Sequence, residues 1–161
     1  MTAVTDTSPV CYLVLIGEVE LLQELFGSVL MPRAVLTELR HEDAPENVRA
    51  WAADLPSWIV IHDNPIGPTA DMEKLQAGEQ NAILLAEVAQ AGLILLDEKS
   101  ARRVAANRGL HVTGTLGLLG EAATRGLVDL TAAIDRLRKT NFRYSPLLLK
   151  ATLDRFGSKQ P

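Results

Sequence analysis

Leu93-Ile94-Leu95-Leu96, followed directly by Asp97-Glu98, is the stretch of this 161-residue chain that most narrows its fold. Four consecutive aliphatic side chains with no polar alternation suit a strand covered on both faces, the usual situation of a central strand in a parallel sheet. Shorter runs repeat the theme. Ala3-Val4-Thr5 stops at Asp6-Thr7-Ser8-Pro9, Ser28–Met31 stops at Pro32, Trp58–His62 runs into a loop at Asn64–Thr69, and Leu110–Thr113 stops at Gly114. Between them the spacing of apolar residues, with Gly and Pro as punctuation, predicts helices at about 9–16, 18–26, 45–51 and 78–91, one opened by Pro32, one that follows Asp97-Glu98 and runs to about 108, and one from 114 to 126. Two amphipathic helices, about 129–140 and 145–156, close the chain. Strands alternating with helices imply right-handed crossovers and an α/β architecture with a mostly parallel sheet. No composition shift divides the chain, so one domain is expected, with a helical extension from about residue 129.

Composition bounds the chemistry. Aromatic residues are only 4%, so Leu, Ile, Val and Ala must build the core. The single cysteine, Cys11, excludes an internal disulfide framework and fits a reducing compartment. No apolar run reaches transmembrane length and no basic-then-apolar leader opens the chain, so a cytoplasmic protein with no membrane partner is expected. The net charge of −4 hides an asymmetry: residues 1–98 hold 4 Lys/Arg and 16 Asp/Glu, whereas residues 99–161 hold 12 and 4. Such a division points to polyanion binding or an acidic ion site, although solvated surface charge explains it equally well.

In open parallel sheets ligands gather beyond the carboxyl ends of the strands. Two strands here end in an acid, Asp6 and Asp97. Glu38 lies beside the apolar stripe Val35, Leu36 and Leu39 of its helix, and Glu79 stands at the start of the 78–91 helix. Two like charges at roughly 4 Å repel by about 4 kcal/mol even at an effective dielectric of 20. Four carboxylates on one rim therefore call for a hard divalent cation with oxygen ligands, such as Mg²⁺ or Mn²⁺. Each acid also has a plainer role: Asp6 as a helix N-cap, Glu38 as a solvated helix residue, Glu79 as a first-turn acid favoured by the helix dipole. Asp97, at the end of a deeply apolar strand, is the hardest to explain that way. Glu98 is either a fifth member or the cap of the next helix. Thr7 and Ser8 are candidates to orient Asp6, and Thr115, in Gly114-Thr115-Leu116-Gly117, opens a helix whose amides can receive a phosphate. Lys99, Arg102 and Arg103 are candidates to hold a nucleic-acid backbone, with an ordinary basic helix face as the alternative.

Other chemistries find little support. His41, His62 and His111 are scattered and lack metal-ligand spacing with cysteine. Cys11 lies in an apolar stretch and reads as a small buried hydrophobe. No nucleophile elbow, P-loop or dinucleotide fingerprint occurs.

Four segments together, Asp6-Thr7-Ser8-Pro9, Pro32 to Leu39, Gly78-Glu79-Gln80-Asn81-Ala82-Ile83 and Leu95 to Arg102, resemble PIN-domain nucleases, the fold of VapC-type toxins. The chain is closer still to an uncharacterised PIN-like subgroup in which Asp-Thr-Ser-Pro, Leu-Leu-Asp-Glu and Gly-Thr-Leu-Gly recur in this order. The resemblance spans about residues 4 to 156. It implies a three-layer α/β/α PIN-like fold and Mg²⁺- or Mn²⁺-dependent cleavage of RNA, with Asp6, Glu38, Glu79 and Asp97 as metal ligands and catalytic residues. It also implies a homodimer and a cognate antitoxin that silences it. Two departures stand out: Glu79 occupies a position where many toxins carry Asp, and Asp-Glu-Lys-Ser replaces the commoner Asp-x-Asp-Phe. Two readings follow. One is a single-strand-preferring, metal-dependent endoribonuclease, which the resemblance would make the toxin of a toxin–antitoxin pair. The other is a catalytically weak regulatory module that binds partners through Arg136, Arg138, Lys139, Arg143 and Leu147–Leu149. A phosphohydrolase or receiver-like domain is a weaker third.

Overall fold

The computed structural model of the chain describes residues 1–63 and 67–157. The predicted loop at 64–69 lies partly outside the described residues. Five short strands, β1 (Ala3–Thr5), β2 (Val29–Pro32), β3 (Ile59–His62), β4 (Leu93–Leu95) and β5 (Val112–Thr113), form one sheet in the order β3-β2-β1-β4-β5. Every pairing is parallel. The helices are α1 (Thr7–Leu15), α2 (Leu21–Phe26), α3 (Arg33–Leu39), α4 (Glu46–Ala53), α5 (Ala77–Val88), α6 (Lys99–Asn107), α7 (Thr115–Thr124), α8 (Leu130–Arg138) and α9 (Pro146–Phe156).

Alternation along the strands sorts side chains to two faces, as a pleated backbone requires. Val4, Leu30, Ile94, Leu96 and Val112 pack with α5 and α6. Val29, Met31, Ile59 and Leu95 face the other way, into a core shared with α1, α3, α7 and α8. The result is the three-layer α/β/α arrangement. The strand order reverses at β1, which has β2 on one side and β4 on the other. The crevice at the carboxyl ends of β1 and β4 is therefore the topological switch point of the sheet.

Several boundaries differ from expectation for local reasons. Helix α1 begins at Thr7, so Asp6-Thr7-Ser8-Pro9 is the first turn of the helix rather than a separate turn before it. The chain turns sharply at Gly17 with a positive φ of 76°, and α2 starts only at Leu21. Helix α5 stops at Val88, short of Gly92. The left-handed turn that ends it falls on Gln90, φ 51°, whose neighbour Ala91 donates its amide to the Ala86 carbonyl. The two C-terminal helices have working caps: Asp129 accepts from the Ala132 amide at 3.0 Å, and Ser145 from the Leu148 amide at 2.9 Å. Leu130, Ala133, Ile134, Leu137, Leu149 and Phe156 from α8 and α9 are all buried in the main core. Phe156 lies against Gly120 of α7, where any Cβ would collide with its ring. No helix among the described residues is long and apolar enough to cross a membrane.

Candidate active site

The sheet register places the first two acids. Thr5 pairs with Leu95, and the Asp6 amide donates to the Leu95 carbonyl at 3.1 Å. Asp6 and Asp97 thus leave adjacent central strands on either side of the switch point. Glu38 arrives one residue before the end of α3, on the strand–helix unit after β2. Glu79 sits in the first turn of α5, next to Gly78.

Asp6 is 5% exposed and occupies the N-cap position of α1, yet its side chain caps nothing. Among the described residues its Oδ1 is the buried side-chain polar atom with no hydrogen-bond partner. Burial pushes its carboxyl up to about 8; the adjacent Thr7 amide opposes this, while Glu79, Glu38 and Asp97 add to the rise. A carboxyl in that state is poorly served by the protein alone.

Glu38 reaches the same place. Its Oε1 accepts the Gly78 amide at 3.0 Å, and Thr7 donates its hydroxyl to Oε2. A Cβ on Gly78 would stand 2.5 and 2.8 Å from the two Glu38 oxygens and 3.0 Å from Asp6 Oδ1. Three carboxylate oxygens from two distant residues therefore surround one small space that only glycine leaves open.

Asp97 is anchored from two sides. The Thr115 amide donates to its Oδ1 at 2.7 Å, and the Thr115 and Ser8 hydroxyls donate to its Oδ2 at 2.8 and 2.7 Å. Glu79, 6% exposed, accepts the Gln76 amide on Oε1 at 3.0 Å and so caps α5. Burial raises its carboxyl above the ordinary range; the Gln76 amide works against this, and Glu98 and Glu38 reinforce it. Glu79 is thus a first-turn acid that caps its helix, within range of the charges of Glu98 and Glu38. Glu98 is exposed, precedes α6 without capping it and acts on Glu79 through its charge.

Several expectations need correction. Thr7 and Ser8 do not orient Asp6, because their hydroxyls go to Glu38 and Asp97. The start of α7 does not present a vacant phosphate cradle, because its Thr115 amide is taken by Asp97. Arg102 is partly committed to structure, donating to the Leu96 carbonyl at 3.0 Å. Lys99 and Arg102 border the cleft beside Asp97, whereas Arg103 lines a different hollow with Asp71 and Lys74. Gly78 and Gly114 were missed. A Cβ on Gly114 would stand 2.8 Å from Asp97 Oδ1 and 2.6 Å from the Arg102 guanidinium. The available signal was glycine, a poor helix former, directly before a candidate acid at a helix start.

The family model described as DUF3368: PIN domain matches residues 2–158. This chain belongs to the PIN-domain family. PIN domains are in general metal-dependent nucleases that use divalent ions. The fold is also similar to that of a PilT N-terminus domain protein from the hyperthermophilic archaeon Sulfolobus solfataricus P2. That likeness has a TM-score of 0.54 at 14% identity and covers 90% of this chain and 100% of that one. No curated protein matches the sequence.

The donors of this PIN domain fit a hard divalent cation in kind: all are carboxylate oxygens, and one of them is buried and unpaired. As they stand, no three acidic or imidazole groups among the described residues form a ready coordination set. Glu38 and Asp97 are held by hydroxyls, and must turn from them or share them to close on one ion.

Proposed function

We propose that this PIN domain is an endoribonuclease dependent on Mg²⁺ or Mn²⁺. The supporting observation is the unpaired, buried Asp6 Oδ1, which faces Glu38 and is raised further by Glu79 and Asp97. Asp6 and Glu38 would hold the ion, with Asp97 and the Glu79 oxygen not engaged in capping as further ligands, directly or through water. A bound ion supplies Lewis acidity at the phosphate and charge for the developing anion. The protein's own part is positioning. Thr115 and Ser8 fix Asp97, the Gly78 amide and Thr7 fix Glu38, and Lys99 stands at the cleft edge to hold a backbone phosphate. Burial raises the Asp6 carboxyl to about 8, so a cation binding there at neutral pH would take the place of its proton.

The test is cleavage of a labelled single-stranded RNA by the wild type and by the Asp6→Asn and Asp97→Asn variants, with Mn²⁺ and with chelator. The expected result is cutting that needs the metal and falls by at least about a hundredfold in each variant, the scale of losing one charge-stabilising group. Cutting that persists in chelator, or that both variants retain, removes the proposal.

Homodimer formation and silencing by an antitoxin peptide, as in a toxin–antitoxin pair, extend the same proposal. Leu147 and Leu148 of α9, 78% and 47% exposed, are apolar side chains suited to such an interface. Light scattering of the purified chain reads the first of these.

The second reading, a regulatory module with little cleavage, is favoured by one observation, the lack of a closed set of three ligands among the described residues. It needs different contacts from those first expected. Arg136 turns inward to the Ile16 carbonyl and Glu18, and Leu149 is buried, so neither is available to a partner.

A further inference from the structure

The cleft that opens beside Asp97 encloses about 780 Å³, and its far wall is built by α9 and the segment that joins it to α8. That wall carries Phe142, Arg143 and Tyr144, with Arg155 further along α9. The Phe142 and Tyr144 rings lie nearly parallel, 22° apart with centroids at 6.3 Å. Tyr12 meets Phe142 edge-on at 4.9 Å and donates its hydroxyl to Asn141 at 2.9 Å. Tyr12 is one helical turn beyond Ser8, the residue that binds Asp97, so the aromatic group and the acid are tied to one face of α1. Burial raises the Tyr12 hydroxyl, Cys11, Asp97 and Glu98 add to the rise, and Arg143 opposes it.

The distribution of aromatics is informative. The chain has two tyrosines and three phenylalanines, and both tyrosines and two of the phenylalanines stand on or against this one cleft. Phe156 is buried in the main core, whereas Phe142 and Tyr144 are half-buried against it and also line the cleft. The charges complement them: Arg143 and Arg155 are exposed on the far wall and Lys99 is exposed next to Glu98 on the same cleft.

We propose that this wall is a subsite for single-stranded RNA, in which Phe142 and Tyr144 stack a base adjoining the phosphate held at the carboxylates, while Arg143, Arg155 and Lys99 hold neighbouring phosphates. The inference rests on the nuclease reading and adds to it the residues of this chain that would seat the strand. Ring faces can be covered only by bases that are unstacked, whereas a duplex keeps its bases inside and offers phosphates alone. The C-terminal helices thereby acquire a role in substrate choice.

Binding is measured with the full chain in chelator, so that the strand stays intact, by fluorescence anisotropy of a labelled 12-nucleotide single-stranded RNA and the matching duplex. Loss of one stacked base weakens binding roughly five- to a hundredfold, so Tyr144→Leu should fall in that range while Tyr144→Phe binds as the wild type does. Arg143→Gln, at an exposed position that does not endanger folding, should reduce the slope of log affinity against log salt by about 0.7, one phosphate contact on a single strand. The duplex should bind at least about tenfold more weakly than the single strand. A duplex that competes equally, or a folded Tyr144→Leu within twofold of wild type, overturns the subsite, and so does an unchanged salt slope in Arg143→Gln. A chain that binds single strands through this wall yet never cuts them keeps the subsite and removes the nuclease reading. A chain that cuts with Mn²⁺ and has the same KM in wild type and Tyr144→Leu does the reverse.

Discussion

Asp6 concentrates the physics of this molecule in one side chain. Its carboxyl titrates at about 8 in the folded chain against an ordinary 3.8. Between those values the folded protein keeps a proton that the unfolded chain has lost. The stability this contributes is fully present below about pH 4 and disappears as the pH rises through about 8. In chelator, the wild-type Tm should therefore fall from about pH 5 to about pH 9, and Asp6→Asn, which keeps the shape without the charge, should lose most of that decline. Added Mn²⁺ should restore the wild type at high pH, by about 2.7 kcal/mol at a hundredfold excess over Kd, and leave the variant nearly unmoved. A wild-type Tm that climbs with pH over this range would contradict the account. Asp6 and Asp97 were legible in the sequence because a charge at the end of an apolar strand has few innocent explanations. The partners of Thr7 and Ser8 were not, since a hydroxyl on a helix start chooses its acceptor from whatever the next strands bring alongside.

At the scale of elements, the start of α5 is where helix preference and site geometry conflict. Alanine is a better helix former than glycine by about 1 kcal/mol, and Gly78 has no left-handed backbone to protect. Gly78→Ala ought to stabilise α5. Its methyl would instead enter the space between Glu38 and Asp6, within 3.0 Å of their oxygens. The expected outcome is a Tm within a few degrees of wild type together with a loss of cleavage of tenfold or more. Full activity in the folded variant would show that these two acids need not stand where they do. Sequence periodicity located every strand and all nine described helices to within a few residues. It failed where the deciding contact was remote, as at the end of α5, or where a helix began earlier than its proline suggested, as at α1. The convergence of Glu38 and Glu79 with Asp6 could be inferred only from their place beside apolar stripes, not from any spacing in the chain.

Taken as a whole, the molecule does not treat its C-terminal part as an appendage. Helices α8 and α9 put six apolar side chains into the main core, and Phe156 closes on α7, the helix whose first residue holds Asp97. Removing residues 129–157 would leave those partners bare. Loss of the Phe156 ring alone is worth roughly 3–5 kcal/mol, a large fraction of an ordinary domain's stability. The chain cut after residue 128 should thus show no cooperative melt by circular dichroism, and a sharp transition near the full-length Tm would refute this. An amphipathic pattern marks such helices equally whether they cover their own core or a partner, which is why the extension expected from sequence turned out to be integral. The acidic and basic halves meet in part at the site: Asp6, Glu38 and Glu79 come from the first and lie near Asp97, while Lys99, Arg102, Arg143 and Arg155 from the second line the cleft beside it.

The order of strands also has a bearing on synthesis. Strand β1 takes the centre of the sheet, and its neighbour β4 follows it in the chain only at residue 93. Asp6 therefore leaves the ribosome some ninety residues ahead of the strand that buries it, and Thr115, which anchors Asp97, comes later still. During synthesis the carboxylates therefore stay apart until Thr115 has followed Asp97 out.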